Sequence, residues 1–283
     1  MHLLRALAAV LVLSSIGLGA VCETVSYSVL DTHDRKWRLT FSDEFDGKGK
    51  PDPKKWMSKE YNRKPNPNGP DGWWDADNAY LDGQGHLVLR TDVIENRNPD
   101  EDNDPYDYAS AMVTTEGRFE QAFGRYEARV KLPQSAGWWA AFWLFSDAVH
   151  HEDGSGRDGT EVDIAELFGW NDKVHNALHW DGYGAAHQIA ARDTIVPGIR
   201  KGWHTFALEW TPDEYVFFVD GKETWRTDAG GVCQTPLRVK FSGEIATTAP
   251  VANKWWSQMP APGNFPDEFV VDWVRVYERV PGK

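Results

Sequence analysis

Cysteine is scarce in this chain, which has only Cys22 and Cys233 among 283 residues. Two cysteines cannot build a disulfide framework, so the folded state must be stabilised by a hydrophobic core. Internal repeats are absent, and so is long amphipathic helical periodicity beyond the N-terminal segment. These absences exclude a disulfide-stapled miniprotein, a solenoid and a helical bundle, while the length is sufficient to bury a large core.

Basic residues are outnumbered, with 30 Lys and Arg against 43 Asp and Glu and a formal net charge of −13. A surface of this sign repels nucleic acid and acidic membranes, so we expect neither as a partner. The charge also argues, more weakly, against heavily sulfated or uronate-rich polymers as ligands. Net charge does not report how charge is distributed, however, and is compatible with a locally basic cleft.

A membrane-spanning run of about 20 apolar residues is also missing. The N-terminus instead has a short basic start and a largely apolar stretch over 6–18 that ends in small residues. This is the pattern of a secretory signal peptide. We predict a signal peptide over residues 1–22, one domain over 23–283, and a secreted or periplasmic protein. A lipoprotein anchored through Cys22 is the less favoured alternative.

Three carboxylates fall within the six residues of the segment EVDIAE, at 161–166. Side chains alternate between faces along a strand, so Glu161 and Asp163 share a face while Glu166 falls on the other. A β-bulge near 164–165 would set two residues against one on the neighbouring strand and bring Glu166 onto the first face. We therefore predict a bulged strand with three acids in one site. A solvated acidic edge strand is disfavoured by the apolar residues between the acids.

Carboxylates on one face suit the hydrolysis of a glycosidic bond. One attacks the anomeric carbon, and a second, held protonated, donates its proton to the leaving oxygen. A retaining mechanism needs carboxyl groups about 5–5.5 Å apart and an inverting one about 6.5–9.5 Å. Acids from one strand suit the shorter separation. A third acid between them, Asp163, raises the pKa of a neighbour through like-charge repulsion.

The acidic segment resembles the bulged active-site strand of glycoside hydrolase family 16, whose pattern is Glu-x-Asp-x-x-Glu. The likeness is to its laminarinase-like group of endo-β-glucanases and β-galactanases. Further segments resemble other parts of the family and occur in the same order, namely 41–47, 124–133 with 141–144, 203–212 with 219–221, and 269–277. Together they cover most of the chain from about residue 38 to 278.

This resemblance implies that Glu161 is the nucleophile, Asp163 its assisting acid and Glu166 the general acid/base. It also implies an all-β fold, a β-sandwich jelly roll of the concanavalin A type with a substrate cleft on the concave sheet. Two local patterns support that class independently. Apolar and charged residues alternate over 126–132. The dipeptide Asp220-Gly221, between a strand over 215–219 and a return strand over 222–226, is typical of a type I′ hairpin.

Aromatic residues are plentiful, with 15 Trp, 13 Phe and 9 Tyr. Rings of this kind stack on apolar faces, while polar side chains hydrogen-bond to hydroxyls of a sugar. The resemblance implies a cleft Trp at 143 and another at 138 or 139, a His near the acid/base residue, and an Asn that binds sugar hydroxyls. We therefore predict five substrate-binding residues, which are Trp138, Trp139, Trp143, His179 and Asn78.

The proposed chemistry requires no cofactor. The resemblance implies a structural calcium site on the convex face, to which Asp272 would contribute a carboxylate. Glu44 and Gly85 are the candidates for backbone oxygen ligands at that site.

These inferences predict a monomeric, secreted, retaining endo-glycosidase that hydrolyses internal β-linkages of a neutral polysaccharide, β-1,3- or β-1,3-1,4-glucan first. Departures from the β-1,3-glucanase pattern at Ala140-Ala141 and over 231–236 leave the identity of the polymer open, because fold and catalytic residues define the reaction better than the sugar. A marine galactan hydrolase of the agarase, porphyranase or carrageenase type is the nearest alternative. A transglycosylase and a non-catalytic glycan-binding protein are the others.

Overall fold

The structure is a computed structural model. It describes residues 31–32, 35–63, 72–97, 106–168, 171–245 and 264–280. The predicted signal peptide, Cys22 included, lies outside the described residues. Within them, no helix has the length and apolar character needed to cross a membrane.

Strands dominate the described chain. In order they are β1 (Asp31–Thr32), β2 (Arg35–Asp43), β3 (Lys48–Gly49), β4 (Met57–Ser58), β5 (Tyr61–Asn62), β6 (Trp73–Trp74), β7 (Ala79–Asp82), β8 (Leu87–Glu95), β9 (Tyr106–Ser110), β10 (Met112–Thr114), β11 (Glu120–Gln121), β12 (Gly124–Lys131), β13 (Trp138–Phe145), β14 (Glu161–Phe168), β15 (Lys173–Trp180), β16 (Gln188–Ile195), β17 (Trp203–Trp210), β18 (Tyr215–Val219), β19 (Lys222–Thr227), β20 (Leu237–Ile245) and β21 (Asp267–Val280). The helices described are 3₁₀ turns at Ala76–Asn78, Asp147–His150 and Ala229–Gly231.

The strands form two sheets that pack face to face. The cleft sheet has the order β16-β15-β14-β13-β20-β10-β4, with β11 also paired to β20. The back sheet has the order β19-β18-β17-β12-β21-β8-β9-β6-β5, with β2 added at β21 and β7 at β8. One hydrophobic cluster draws side chains from both sheets, among them Phe142 and Phe241 of the cleft sheet and Tyr126 and Phe269 of the back sheet. The predicted all-β jelly-roll sandwich is confirmed.

Alternating polarity gives the back sheet one core face and one wetter face. Along β12, Tyr126, Ala128 and Val130 are buried, while Glu127 and Arg129 between them are half-buried. The hairpin prediction also holds. Val219 of β18 pairs with Lys222 of β19, and the intervening Asp220 and Gly221 have φ of 49° and 74°. Positive φ at both central residues is the geometry of a type I′ turn.

The predicted β-bulge lies on β14 between Asp163 and Glu166. On the β13 side, Trp143 pairs with Asp163 and Phe142 with Ala165, so Ile164 has no partner. On the β15 side the register also shifts between Asp163 and Glu166. The extra residue brings Glu166 into phase with Glu161 and Asp163, as the spacing of the acids requires.

Candidate active site

The three acids open onto a cleft of about 720 Å³ across the outer face of the cleft sheet. Its walls come from β10, β13, β14 and β20 together with the segment around β5. The lining residues are Lys59, Glu60, Tyr61, Arg63, Trp74, Met112, Trp139, Ala141, Trp143, Phe145, Glu161, Asp163, Glu166, Tyr183, Lys240, Ser242 and Glu244.

The bulge itself is held by a buried amide on the next strand. Asn176 of β15 is 1% exposed, and its Nδ2 donates to the carbonyl oxygen of Ile164 at 2.7 Å. This bond satisfies a backbone acceptor that the bulge removes from the regular ladder. Asn176 therefore stabilises the local conformation that aligns the three carboxylates.

Glu166 lies in a buried site that favours its protonated form. It is 5% exposed, and Trp139 Nε1 donates a hydrogen bond to its Oε1 at 2.7 Å. Burial raises the pKa of Glu166 well above its ordinary value, and the charges of Asp163 and Glu161 raise it further. The Trp139 bond opposes this rise because an N–H donor stabilises the ionised carboxylate. A carboxylic acid that keeps its proton near neutral pH is suited to act as a general acid.

Asp163 is equally enclosed, at 3% exposed. Burial and then the charge of Glu161 raise the pKa of Asp163 well above its usual range. His179 Nε2 lies 3.4 Å from Asp163 Oδ2, a close approach whose geometry is not that of a hydrogen bond. Burial lowers the pKa of His179, which favours a neutral imidazole behind the acid.

Glu161 is the most accessible of the three acids and is half-buried. The hydroxyl of Tyr183 donates a hydrogen bond to its Oε2 at 2.5 Å. Carboxylate oxygens of Glu161 and Asp163 and a ring nitrogen of His179 lie within 4.8 Å of one another. Glu161 is thus the acid whose carboxylate is open to a ligand in the cleft while its orientation is fixed by a neighbour.

Comparison with known proteins agrees with this geometry. Residues 70–274 match the model of the family described as glycosyl hydrolases family 16. The chain belongs to this family.

Several of the similar proteins are glucan-cleaving enzymes by name. The chain is 33% identical over 266 residues to the β-glucanase of Rhodothermus marinus, covering 86% of each chain. Among solved structures, it is similar to the laminarinase of the same organism, with a TM-score of 0.72, 29% identity and coverage of 87% of this chain and 99% of that one. It is also similar to the endo-β-1,3-glucanase of Pyrococcus furiosus, with a TM-score of 0.71, 26% identity and coverage of 90% and 99%. The chain is therefore a glycoside hydrolase of family 16, whose glucan-hydrolysing homologues imply a polysaccharide substrate.

The predicted tryptophans divide between the cleft and the core. Trp139 and Trp143 both line the cleft and are half-buried. Trp138 is wrong as a substrate-binding residue, because it is fully buried in the core cluster between the sheets. The alternation of β13 puts its side chain on the face opposite to that of Trp139.

Asn78 is also misassigned as a substrate-binding residue. It ends the 3₁₀ turn over 76–78, and its Nδ2 donates to the carbonyl oxygens of Ala109 at 2.8 Å and Arg90 at 3.2 Å. It does not appear among the residues that line the cleft. Its amide joins neighbouring strands of the back sheet.

His179 lies beside the catalytic strand but contacts Asp163 instead of the acid/base residue, and it is not among the cleft-lining residues. Its Nδ1 is 2.9 Å from Nε2 of His187, and the two rings stack. The strand partner of Glu166 is His175, whose Nδ1 lies 2.6 Å from Asp193.

Arginine side chains engage the carboxylates at the predicted calcium site. The carboxylate of Asp272 forms an ion pair with Arg129, and Nε2 of His86 lies 4.0 Å from its other oxygen. The carboxylate of Glu44 accepts two bonds from Arg275, at 2.8 and 2.9 Å. A guanidinium already neutralises the one side-chain ligand expected there, so the structure gives no support for calcium at Asp272, Glu44 and Gly85.

The sequence reasoning missed several cleft residues. Polar and apolar side chains alternate along β20, so that Lys240, Ser242 and Glu244 line the cleft while Val239 and Phe241 lie in the core. That period of two was a usable signal for a cleft-facing strand. Tyr183 had no such signal, since it lies in an irregular loop that reaches the site only through the fold.

Proposed function

We propose that this family 16 enzyme is a retaining endo-β-glycanase that cleaves internal linkages of β-1,3-glucan or mixed-linkage β-1,3-1,4-glucan. The names of its relatives support a β-glucan as the polysaccharide that it cleaves. The observation that carries the mechanism is the contrast between two acids of one strand. Burial favours the protonated form of Glu166, whereas Glu161 faces the cleft with a hydroxyl donor fixing one oxygen.

In the first step, the free oxygen of Glu161 attacks the anomeric carbon while Glu166 transfers its proton to the departing glycosidic oxygen. This forms a glycosyl ester on Glu161 and leaves Glu166 ionised. In the second step, Glu166 takes a proton from a water molecule, whose oxygen attacks the same carbon and releases Glu161. Two inversions give net retention. Asp163, between the two acids, would share a proton with the nucleophile and limit the charge of the cluster.

The same proposal includes secretion of the enzyme, because a polysaccharide is cleaved outside the cell before its fragments can enter. The basic and apolar pattern over residues 1–22 supports it.

The first experiment incubates wild type and Glu161→Gln with laminarin, lichenan, agarose, porphyran and κ-carrageenan and measures new reducing ends. Glu95→Gln, an exposed change on the back sheet, is the charge-matched control. We expect wild type and the control to cleave laminarin or lichenan, and Glu161→Gln to bind the same polymer without turnover. NMR of the earliest product should show the β-anomer.

Each failure has a distinct meaning. Full activity of Glu161→Gln would refute the assignment of the nucleophile, and an α-anomer as first product would refute retention. Cleavage confined to agarose, porphyran or κ-carrageenan would replace the glucan backbone with a galactan.

A further inference from the structure

The cleft contains a buried lysine that catalysis as described above does not use. Lys240 lies on β20 and is 7% exposed. Its Nζ lies over the ring of Trp143 at 3.7 Å from the centroid and over that of Phe145 at 4.3 Å. The ammonium therefore covers an aromatic face on which a sugar ring would otherwise stack.

Lys240 differs from the other cations of the cleft in having no counter-ion in contact. Arg63 is paired with Glu244 at 3.0 Å, and Lys59 with Glu116 at 2.8 Å. Within the described part of the chain, no carboxylate oxygen comes within ion-pair distance of Lys240 Nζ. Glu161 acts on it only through space.

A mostly buried ammonium without a contacting counter-ion destabilises the free enzyme. Burial lowers the pKa of Lys240 to about 8, so the side chain still carries its charge at neutral pH. An ammonium that is mostly withdrawn from water loses part of its solvation, which cation–π contact replaces only in part. An ammonium has three N–H donors, and ring faces accept them weakly. An anion brought into the cleft would be a stronger partner for these donors than water or a ring face.

The register places that anion close to the bond that is cleaved. Trp143 of β13 pairs with Lys240 on one side and with Asp163 on the other. Neighbouring strands are about 4.8 Å apart, so the backbone of Lys240 lies about 10 Å from that of Asp163, in the same row across the sheet. A sugar beside Glu161 would lie between the two side chains.

We propose that Lys240 binds an anionic substituent, a carboxylate or a sulfate ester, on the sugar unit held beside the nucleophile. The inference rests on the proposed function, which supplies the backbone, and adds an acidic decoration to it. The acidic net charge of the protein argued for neutral polymers, but Lys240 places a cation without a contacting counter-ion at this position of the cleft. A carboxylate or sulfate oxygen would satisfy the free donors and replace the solvation lost on burial.

The test compares neutral β-1,3-glucan with carboxymethylated and sulfated derivatives of the same glucan. Wild type, Lys240→Gln, Lys240→Arg and Lys222→Gln are assayed for kcat/KM at one ionic strength. Lys222 is an exposed lysine on the far edge strand β19, and its substitution removes the same charge. The ratio of acidic to neutral kcat/KM reports substrate choice and is insensitive to the fraction of folded enzyme.

We expect Lys240→Gln to lower this ratio about tenfold or more, equivalent to about 1.4 kcal/mol. Lys240→Arg should retain most of it, and Lys222→Gln should match wild type. The derivative that loses most identifies the anion as carboxylate or sulfate.

Equal losses on the neutral and acidic polymers would overturn the inference and make Lys240 a charge partner of Glu161. An unchanged ratio with unchanged rates would overturn it as well. If wild type cleaves none of the three polymers, the proposed glucan substrate is wrong, and so is the inference that rests on it. If wild type cleaves the neutral glucan but the ratio does not depend on Lys240, only the inference about Lys240 is wrong.

Discussion

Trp139→Phe should move the alkaline limb of the pH profile to higher pH. Glu166 must be protonated to act as general acid, so activity falls as the pH rises through its pKa. The Trp139 N–H bond to Glu166 favours the ionised carboxylate and opposes the effects of burial and of the neighbouring acids. Phenylalanine keeps a ring in place but removes the donor, so the pKa of Glu166 rises.

The size of the effect follows from the hydrogen bond. A bond to a charged group contributes about 1.5–3 kcal/mol, and the neutral acid retains part of it. Since about 1.36 kcal/mol corresponds to one pH unit, the alkaline limb should move by about one unit. Glu166 is 5% exposed, so solvent screening does not reduce this figure.

The assay is kcat/KM against pH, which reports the ionisation of the free enzyme. Trp143→Phe is the matched control, because the Trp143 N–H donates to Ser242 Oγ at 3.1 Å instead of to a catalytic acid. Both rings line the cleft, so losses in sugar contact are comparable. Coincident alkaline limbs for wild type and Trp139→Phe, or an equal displacement in Trp143→Phe, would refute the reasoning.

Three further outcomes follow from the geometry. Tyr183→Phe should lower kcat about tenfold with little change in KM, because a hydrogen bond of about 1.4 kcal/mol that orients Glu161 is lost. Steady-state kinetics tests this, and a change in KM with kcat unchanged would contradict it. Trp138→Ala should lower the free energy of unfolding in urea by about 3–5 kcal/mol, whereas a cleft-facing ring would cost far less. EDTA should leave Tm unchanged, because Arg129 neutralises Asp272; a fall of several degrees would restore a metal site.

The bulge of the catalytic strand could be predicted, because the three acids cannot face the same side of a regular strand. Glu161 and Asp163 obey the period of two and Glu166 breaks it, so one inserted residue was required. The structure identifies that residue as Ile164 and shows Asn176 holding its carbonyl oxygen. The contact of Asn176 could not be predicted from the sequence, because Asn176 lies on another strand and its partner depends on how the two strands pair.

Register also explains the two substrate-binding residues that were wrong. Alternation requires one of Trp138 and Trp139 to face the core, but only the pairing of β13 with its neighbours decides which. Asn78 resembles a family Asn that binds sugar hydroxyls, yet its amide donates to carbonyl oxygens of two strands of the back sheet. Contacts between distant segments decide both cases.

The calcium site stays a prediction, and the contacts of Asp272 bear on it. Asp272 occupies the expected strand, but Arg129 of the adjacent strand reaches its carboxylate, and Arg129 in turn lies over the ring of Trp203 at 5.0 Å. A carboxylate predicts a cation without specifying its kind, and here the cation is a side chain of the same protein.

The division of labour between the acids depends on neighbours outside their strand as well as on the strand itself. Glu161 and Glu166 are the same residue type, five positions apart on β14, and a bulge makes them face the same way. Part of their difference is supplied from outside that strand. Trp139 and the depth of the cleft act on Glu166, whereas the loop hydroxyl of Tyr183 and the unpaired charge of Lys240 act on Glu161. A sequence motif can therefore identify the acids, but their roles depend on strand order. For the same reason, substrate choice can change at Lys240 without any change in the catalytic strand.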